Sequence, residues 1–184
     1  MPRPKTFDPD AAIDAAVEVF WSKGYPGTTP QDLVDALGIG RGSLYNAFAS
    51  KHDLYRLALT RYVEQGAARV LPILESDGSA RERLRAALMF NAEPGRRGCL
   101  VTNAVVESGG RDKEVDRIVR RVFERQHQAF RAVVDEGRRS GEFDRAVDPD
   151  AHAEFLLAVG NGMRVLAKAG RDPAIVVEVA LRAL

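Results

Sequence analysis

The stretch that decides the fold of this chain is GIGRGSLYNAFASKHDLY, residues 38–55, which combines small residues with aromatic and basic ones. On an α-helix, at about 100° per residue, Leu44 and Phe48 fall on one face and point inward. The opposite face carries only small or hydrogen-bonding side chains: Gly42, Ser43, Asn46 and Ala47. We therefore expect a helix of about two turns whose outer face is free of bulk.

The outer face of this short helix suits the major groove of B-DNA, which is about 12 Å wide. Gly42 allows a close approach, and the Asn46 amide can hydrogen-bond to a base edge. Arg41 suits a guanine or a phosphate, and Ser43 can serve either. A two-turn helix with a glycine is also common as a plain connector, so it is the coincidence of these residues that favours DNA binding.

Residues beside the short helix can add contacts to the DNA backbone. Tyr45 projects from the flank of the short helix, where it is well placed to contact a backbone phosphate. Lys51 begins the next helix, whose amino end favours an anion. The preceding helix is joined to the short one through LGIG, residues 37–40, which predicts a helix-turn-helix. Arg3 and Lys5 can add phosphate or minor-groove contacts from an N-terminal arm.

Helical signals continue along the whole chain. Asp-Pro or Thr-Pro pairs stand before several apolar patterns, where the first residue caps the helix and proline occupies its first turn. The apolar period predicts helices over about residues 9–23, 80–92, 99–108, 113–140, 149–169 and 173–184, and two short ones around Leu33 and Leu44. In the helix that begins at Lys51, the apolar pattern opens at Leu54 and runs to Leu71, before Pro72. Convincing β-alternation is missing, so we expect an all-α fold.

Composition sets broad limits. The chain has 184 residues, of which 45% are hydrophobic and 29% charged, with a net charge of +1, so global charge does not indicate a nucleic-acid partner. No apolar run approaches the roughly 18 residues that span a bilayer, and the basic N-terminus lacks the apolar segment of a secretory signal. Cys99 is the single cysteine, which excludes an intrachain disulfide and fits the cytoplasm. We expect no membrane partner.

A longer pattern surrounds the opening stretch. A helix ends in F-x-x-K-G-Y (residues 20–25), T-T follows (28–29), and L-G-I-G-R-G-S-L-Y-x-x-F-x-S-K-x-D-L completes it (37–54). Residues 8–62 thereby closely resemble the DNA-binding domain of the TetR family of bacterial transcriptional regulators. The resemblance implies a three-helix helix-turn-helix domain, residues 1–55. A linking helix joins it to a larger helical effector-binding and dimerisation domain, residues 56–184.

By the same resemblance, contacts to double-stranded operator DNA fall at Thr29, Gln31, Arg41, Gly42, Ser43, Tyr45, Asn46 and Lys51. The chain departs from the family pattern at three places. Gly40 replaces a common serine cap, Asn46 a frequent histidine, and Ala49 a frequent proline. The first change removes a capping hydroxyl and the second is expected to shift operator preference, whereas the scaffold is kept.

A second segment, RRGCLVTNAVVE (residues 96–107), resembles a G-C-L-x-x-N-x-x-x-E segment of one TetR subgroup. Members of that subgroup respond to varied small organic molecules, including reactive electrophiles and aldehydes in some cases. We expect an effector pocket between the central helices, with ordinary core packing as the alternative for each residue. The candidate lining residues are Met89, Phe90, Cys99, Asn103, Val106, Glu107, Phe123 and Phe130.

Cys99 has two interpretations. Arg96 and Arg97 beside it, near a helix amino end, favour a thiolate and hence a thiol sensor, whereas the alternative is a buried inert cysteine. His127 and His152 lack metal-ligand spacing with Cys99 or with each other, so we expect no metal site and no cofactor.

The resemblance implies a homodimer in which the last two helices pair with their two-fold mates as a four-helix bundle. Apolar stripes permit this pairing, and Ala158 with Gly162 allows close helix approach. The alternative is that the stripes complete the core of the monomer. The residues assigned to the interface are Phe155, Val159, Gly162, Met163, Leu166, Val177 and Leu181.

The resulting prediction is a repressor that binds a palindromic operator as a homodimer and is released by a small organic effector. Two other classes of protein are compatible with an all-α chain of this kind. An enzyme using Cys99 with His127 or His152 lacks a Cys-His-acid signature, so we expect no enzymatic activity. A helical ligand-binding or partner-binding protein with a vestigial DNA-binding face is the remaining alternative.

Overall fold

The structure, a computed structural model, describes residues 8–92 and 97–184. This part of the chain forms nine α-helices and no β-strand, which confirms the all-α prediction. The helices are α1 (Pro9–Gly27), α2 (Pro30–Leu37), α3 (Arg41–Ala47), α4 (Lys51–Glu75), α5 (Ala80–Ala92), α6 (Leu100–Ser108), α7 (Lys113–Ser140), α8 (Pro149–Lys168) and α9 (Ala174–Leu181). Arg3, Lys5 and Arg96, for which the sequence suggested roles, lie outside the described residues.

Side chains cap several helices where the sequence predicted them. Asp8 and Asp148 precede the prolines that begin α1 and α8, and each carboxylate accepts a hydrogen bond from an amide of the first turn at 3.0 Å. At the start of α2, Thr29 and Asp32 form a reciprocal capping box. These local contacts satisfy amides that have no partner within the helix and so fix where each helix begins.

Two helix ends differ from the sequence-based expectation. α1 extends to Gly27, although Gly24 has φ +72° and breaks the helix at the predicted place. The prediction that α4 stops before Pro72 is wrong, because the helix continues to Glu75. A proline inside a helix costs about 3 kcal/mol. Burial of the next turn, in which Leu74 is 6% exposed, offsets that cost.

The buried side chains form two clusters, and α4 runs through both of them. The first core joins α1–α4 to α6 and the start of α7, and includes Phe20, Leu33, Leu54, Leu100 and Val115. The second core joins the end of α4 to α5, α7, α8 and α9, and includes Leu84, Phe130, Leu156, Met163 and Leu181. α6 therefore packs on the helix-turn-helix segment, and a division after residue 55 stays a prediction. Within the described ranges, no helix is long and apolar enough to cross a membrane.

Candidate DNA-binding surface and effector domain

α3 has one buried face and one open face. Leu44 and Phe48 are 3% and 6% exposed and belong to the first core, which confirms their predicted inward orientation. A methyl group built on Gly42 would meet no described atom within 4 Å. The exposed positions are Arg41, Gly42, Ser43, Tyr45, Asn46 and Ala47. The open face therefore carries two long polar or aromatic side chains, Arg41 and Tyr45, among small or hydrogen-bonding residues.

The turn between α2 and α3 depends on two glycines. Gly38 has φ +65° and ends α2, and its amide donates to the Val34 carbonyl. Gly40 occupies the cap position of α3 and supplies no side-chain hydrogen bond, as expected from the loss of a serine there. Its carbonyl still accepts from the Leu44 amide at 3.0 Å, so α3 begins without a capping side chain.

Thr29 and Gln31 are exposed at the amino end of α2, and both side chains already have partners. The Thr29 hydroxyl donates to the Asp32 carboxylate at 2.8 Å, and the Gln31 amide donates to Asp35 at 2.8 Å. The hydrogen bond from the Lys23 ammonium, together with those from Thr29, lowers the pKa of Asp32 to about 2. A DNA contact from Thr29 or Gln31 has to compete with these bonds or share the same atoms.

Lys51 stands at the first position of α4, with its ammonium 4.4 Å from the centre of the Tyr25 ring. Burial lowers the pKa of this ammonium. Arg56, one turn further along α4, pairs with Asp53 at 3.4 Å and with Glu114 at 3.6 Å. The Tyr25 ring thus supports Lys51, and the Asp32 and Glu107 carboxylates are near enough to favour its charged form, whereas Arg56 pairs directly with carboxylates.

The eight residues predicted to line one pocket lie in different surroundings. Cys99 is 2% exposed in the first core, and its sulfur lies 3.3 Å from an Arg164 nitrogen. Phe130 is buried in the second core, and Phe123 touches both cores. The Asn103 amide oxygen accepts a hydrogen bond from Lys168 at 3.2 Å. These four residues remain candidates for a pocket at the boundary between the cores.

The other four face elsewhere, which corrects the idea of a single lining. Val106 is 78% exposed and Met89 40% exposed. The Phe90 ring carries the Arg69 guanidinium at 4.6 Å. Glu107 turns toward α1, where its carboxylate accepts a hydrogen bond from the Tyr25 amide at 2.9 Å. It lines a depression of about 350 Å³ among α1, α4, α6 and α7.

The predicted dimerisation residues divide into an outer and an inner set. Met163, Val177 and Leu181 are at most 1% exposed within the chain's own second core, so the prediction that they contact a partner subunit is wrong. The apolar stripes that predicted the interface on α8 and α9 include both core-facing and outward-facing positions, because both faces of these helices are apolar. Phe155, Gly162 and the partly buried Val159 and Leu166 remain accessible on α8. Three further large apolar side chains on α8 and α9 are also exposed: Val165 (56%), Ile175 (73%) and Val179 (59%).

The histidines that the sequence raised as possible catalytic or metal-binding groups contact backbone carbonyls. His127 Nε2 lies 3.3 Å from the Asp150 carbonyl oxygen, and the two ring nitrogens of His152 approach those of Asp148 and Ala183. In the portion of the chain described here, no group of three or more His, Cys, Asp or Glu side chains is placed to hold a metal ion.

Comparison with known proteins gives matches over both parts of the chain. Residues 12–58 match the family described as bacterial regulatory proteins, tetR family, and residues 80–184 match the family described as tetracyclin repressor-like, C-terminal domain. The HTH-type transcriptional regulator YezE of Bacillus subtilis is 34% identical over 94% of this chain and 92% of its own length. The HTH-type transcriptional repressor ComR of Escherichia coli is 29% identical over 91% of this chain and 83% of its own length.

Solved structures agree with these matches. A cysteine mutant of the TetR family regulator CifR, complexed with 26-base-pair operator DNA, superposes with a TM-score of 0.83 at 32% identity, over 99% of both chains. The two matched segments together include the helix-turn-helix and helices α5 to α9. The chain therefore belongs to the TetR family of bacterial transcriptional regulators.

Proposed function

We propose that this protein is a cytoplasmic transcriptional repressor that binds a palindromic operator as a homodimer and leaves it when a small organic effector binds. The observation that carries the proposal is the open face of α3, which the buried Leu44 and Phe48 brace from behind. A rigid helix with an unobstructed outer face is what insertion into a major groove requires. The operator-bound CifR structure and the repressor ComR are relatives that support this reading.

The side chains on and beside α3 fall into two roles in this proposal. Asn46 and Arg41 are exposed at positions that can reach base edges, and they would set sequence preference. Tyr45, which is 41% exposed, and Lys51 would contact phosphates and set affinity. Because few cations take part, we expect a modest dependence of affinity on salt.

The apolar surface on α8 and α9 supports the proposed homodimer. Phe155, Val165, Ile175 and Val179 are each more than 40% exposed, which is unusual for four large apolar side chains on two adjacent helices. A second copy of the chain related by a two-fold axis would cover them with the same surface. The two α3 helices could then occupy successive major grooves, about 34 Å apart.

Release by an effector follows from a two-state argument. A ligand that binds more tightly to a dimer with a wider α3 separation shifts the population toward it and weakens DNA binding by that difference in affinity. The region around Cys99, Asn103 and Phe123 is the candidate site, since Arg164 and Lys168 of α8 contact Cys99 and Asn103 and Phe123 packs on both cores. The thiol, amide and aromatic ring of these residues together offer the mixture of polar and apolar groups that a small organic molecule requires.

The test is a gel-shift experiment with the DNA that flanks the protein's own gene, followed by selection from random duplexes. We expect a salt-sensitive, sequence-specific shift and a palindromic selected site. The control is Arg139→Ala, which removes a 70% exposed cation on α7, distant in sequence from α3. Absence of any specific shift would overturn the proposal in favour of a helical binding protein with a vestigial DNA-binding face.

A further inference from the structure

The break in α1 leaves one backbone amide for a partner outside the helix. Gly24 has φ +72° and ψ 166°, so the amide of Tyr25, which follows it, donates to the Glu107 carboxylate at 2.9 Å. A Cβ built on Gly24 would lie 2.4 Å from the same carboxylate. Gly24 therefore both makes the break and leaves the space that a side chain from α6, 82–83 residues later in the chain, occupies.

Tyr25 connects this contact to the candidate DNA-binding surface. Its ring lies beneath the Lys51 ammonium at 4.4 Å and packs at 4.8 Å, between ring centres, on Tyr55 of α4. The Thr28 hydroxyl donates back to the Gly24 carbonyl at 2.7 Å, immediately before Thr29 caps α2. The Glu107 carboxylate thus lies at the corner between α1 and α2, which sets the direction in which the chain enters α2. The residue whose amide it binds, Tyr25, also supports Lys51 with its ring.

The other end of α6 is also attached to α1. The Trp21 ring nitrogen donates to the Gly98 carbonyl at 3.0 Å, just before α6 begins. The Arg97 guanidinium lies 4.2 Å from the centre of the Trp21 ring and pairs with Glu18 at 2.5 Å. With Glu107 at its carboxyl end, α6 is fastened to α1 at two points about three turns apart.

The same helix contacts α8, which carries the exposed apolar surface. The Thr102 hydroxyl donates to the Asn161 amide oxygen at 3.2 Å, and Cys99 lies against Arg164. α6 and the residues just before it therefore contact both α1 and α8.

From these contacts we propose that Glu107 is a positioning residue for DNA binding: it holds the α1–α2 corner and, through Tyr25, the Lys51 ammonium. The inference rests on the proposed function, since it names how the effector domain acts on the DNA-binding surface.

The first experiment measures affinity for the operator that the wild-type chain selects. Glu107→Ala is expected to bind about tenfold more weakly, because a hydrogen bond to a charged acceptor is lost. Glu107→Gln keeps an oxygen that can accept from the Tyr25 amide and is expected to recover most of the affinity. The matched control is Glu124→Ala, an exposed glutamate on α7 that bonds to Gln128 four residues later, and it should bind like wild type.

The second experiment measures hydrogen exchange of the Tyr25 amide without DNA. We expect faster exchange in Glu107→Ala and near wild-type exchange in Glu107→Gln, with the Leu33 amide in α2 unchanged. Wild-type affinity and exchange in Glu107→Ala would overturn the inference and leave the proposed function intact. A wild-type chain that selects no operator would overturn the proposed function, and the positioning role with it.

A double-mutant cycle separates this contact from general strain. Gly24→Ala places a side chain at positive φ, which is costly in any background, and also displaces the Glu107 carboxylate. We expect Gly24→Ala to weaken operator binding more in wild type than in Glu107→Ala, because the second variant has no carboxylate to displace. Equal losses in both backgrounds would contradict the role of Glu107.

Discussion

The Lys51 ammonium lies over the Tyr25 ring, 4.4 Å from its centre, and joins the start of α4 to the end of α1. A lysine held in this way loses less conformational entropy when it meets a phosphate than a freely rotating one does. The ring also keeps the charge close to α3 without neutralising it. The ring-supported Lys51 would give a chain with a net charge of +1 a local cation for the proposed contact with DNA.

Lys51→Ala is expected to weaken binding to all DNA sequences by a similar factor and to reduce the slope of log affinity against log salt by about 1. Tyr25→Leu, which removes the supporting ring, should weaken binding by a smaller factor with an unchanged salt slope. Fluorescence anisotropy at several salt concentrations measures both quantities. A loss confined to the preferred operator would show that Lys51 reads sequence instead.

Asn46→Ala and Tyr45→Ala should have different effects on specificity. Loss of the Asn46 amide is expected to relax preference at one base position, with a change of about 1–3 kcal/mol in discrimination there. Loss of Tyr45 should weaken every operator variant equally, because a phosphate contact carries no sequence information. Titration of a panel of single-base operator variants tests the division, and equal losses from both substitutions across the panel would refute it.

Ile175→Glu and Val177→Glu form a matched pair on α9. Ile175 is 73% exposed, so its substitution should preserve the fold and disrupt the dimer, with loss of about 2 kcal/mol for each apolar side chain left uncovered. Val177 is 0% exposed, so a carboxylate there should unfold the chain. Sedimentation and circular dichroism distinguish the outcomes. A dimer that survives Ile175→Glu would place the interface elsewhere.

The lowered pKa of Asp32 predicts that the free energy of unfolding depends on pH in the acid range. Its folded pKa of about 2 lies below the ordinary value of 3.8, so its contribution is fully present above pH 3.8 and is lost as the pH falls toward 2. The difference in free energy of unfolding between wild type and Asp32→Asn should therefore shrink across that window. Asp35→Asn, on the same helix with the uncharged Gln31 as partner, is the control. A difference that stays constant from pH 4 to 2 would contradict this account.

Much of the fold could be predicted from short-range patterns. The start of α7 at Lys113 and its end at Ser140 are where the periodicity placed them, and the inward positions of Leu44 and Phe48 follow from helical spacing alone. Pro72 misled the prediction of where α4 ends, since the sequence does not show that the following turn is buried against the second core.

The candidate site was predicted in part. The open face of α3 could be found because its residues lie within two turns of one helix. The surroundings of Val106 and Glu107 could not be predicted from the sequence, because a helix with apolar residues on several faces does not indicate which face packs on which neighbouring helix. A signal for Glu107 was present in the sequence, namely the glycine at position 24 that precedes an amide without a helical partner.

The sequence by itself determined where the helices begin, which face of α3 stays open, and that the chain resembles TetR regulators, because these depend on residues a few positions apart. Only the tertiary structure decided that Met163, Val177 and Leu181 face inward and that Glu107 bonds to the Tyr25 amide, 82 residues away. The physical reason is that burial and long-range hydrogen bonds depend on how helices pack, and several packings satisfy the same local pattern.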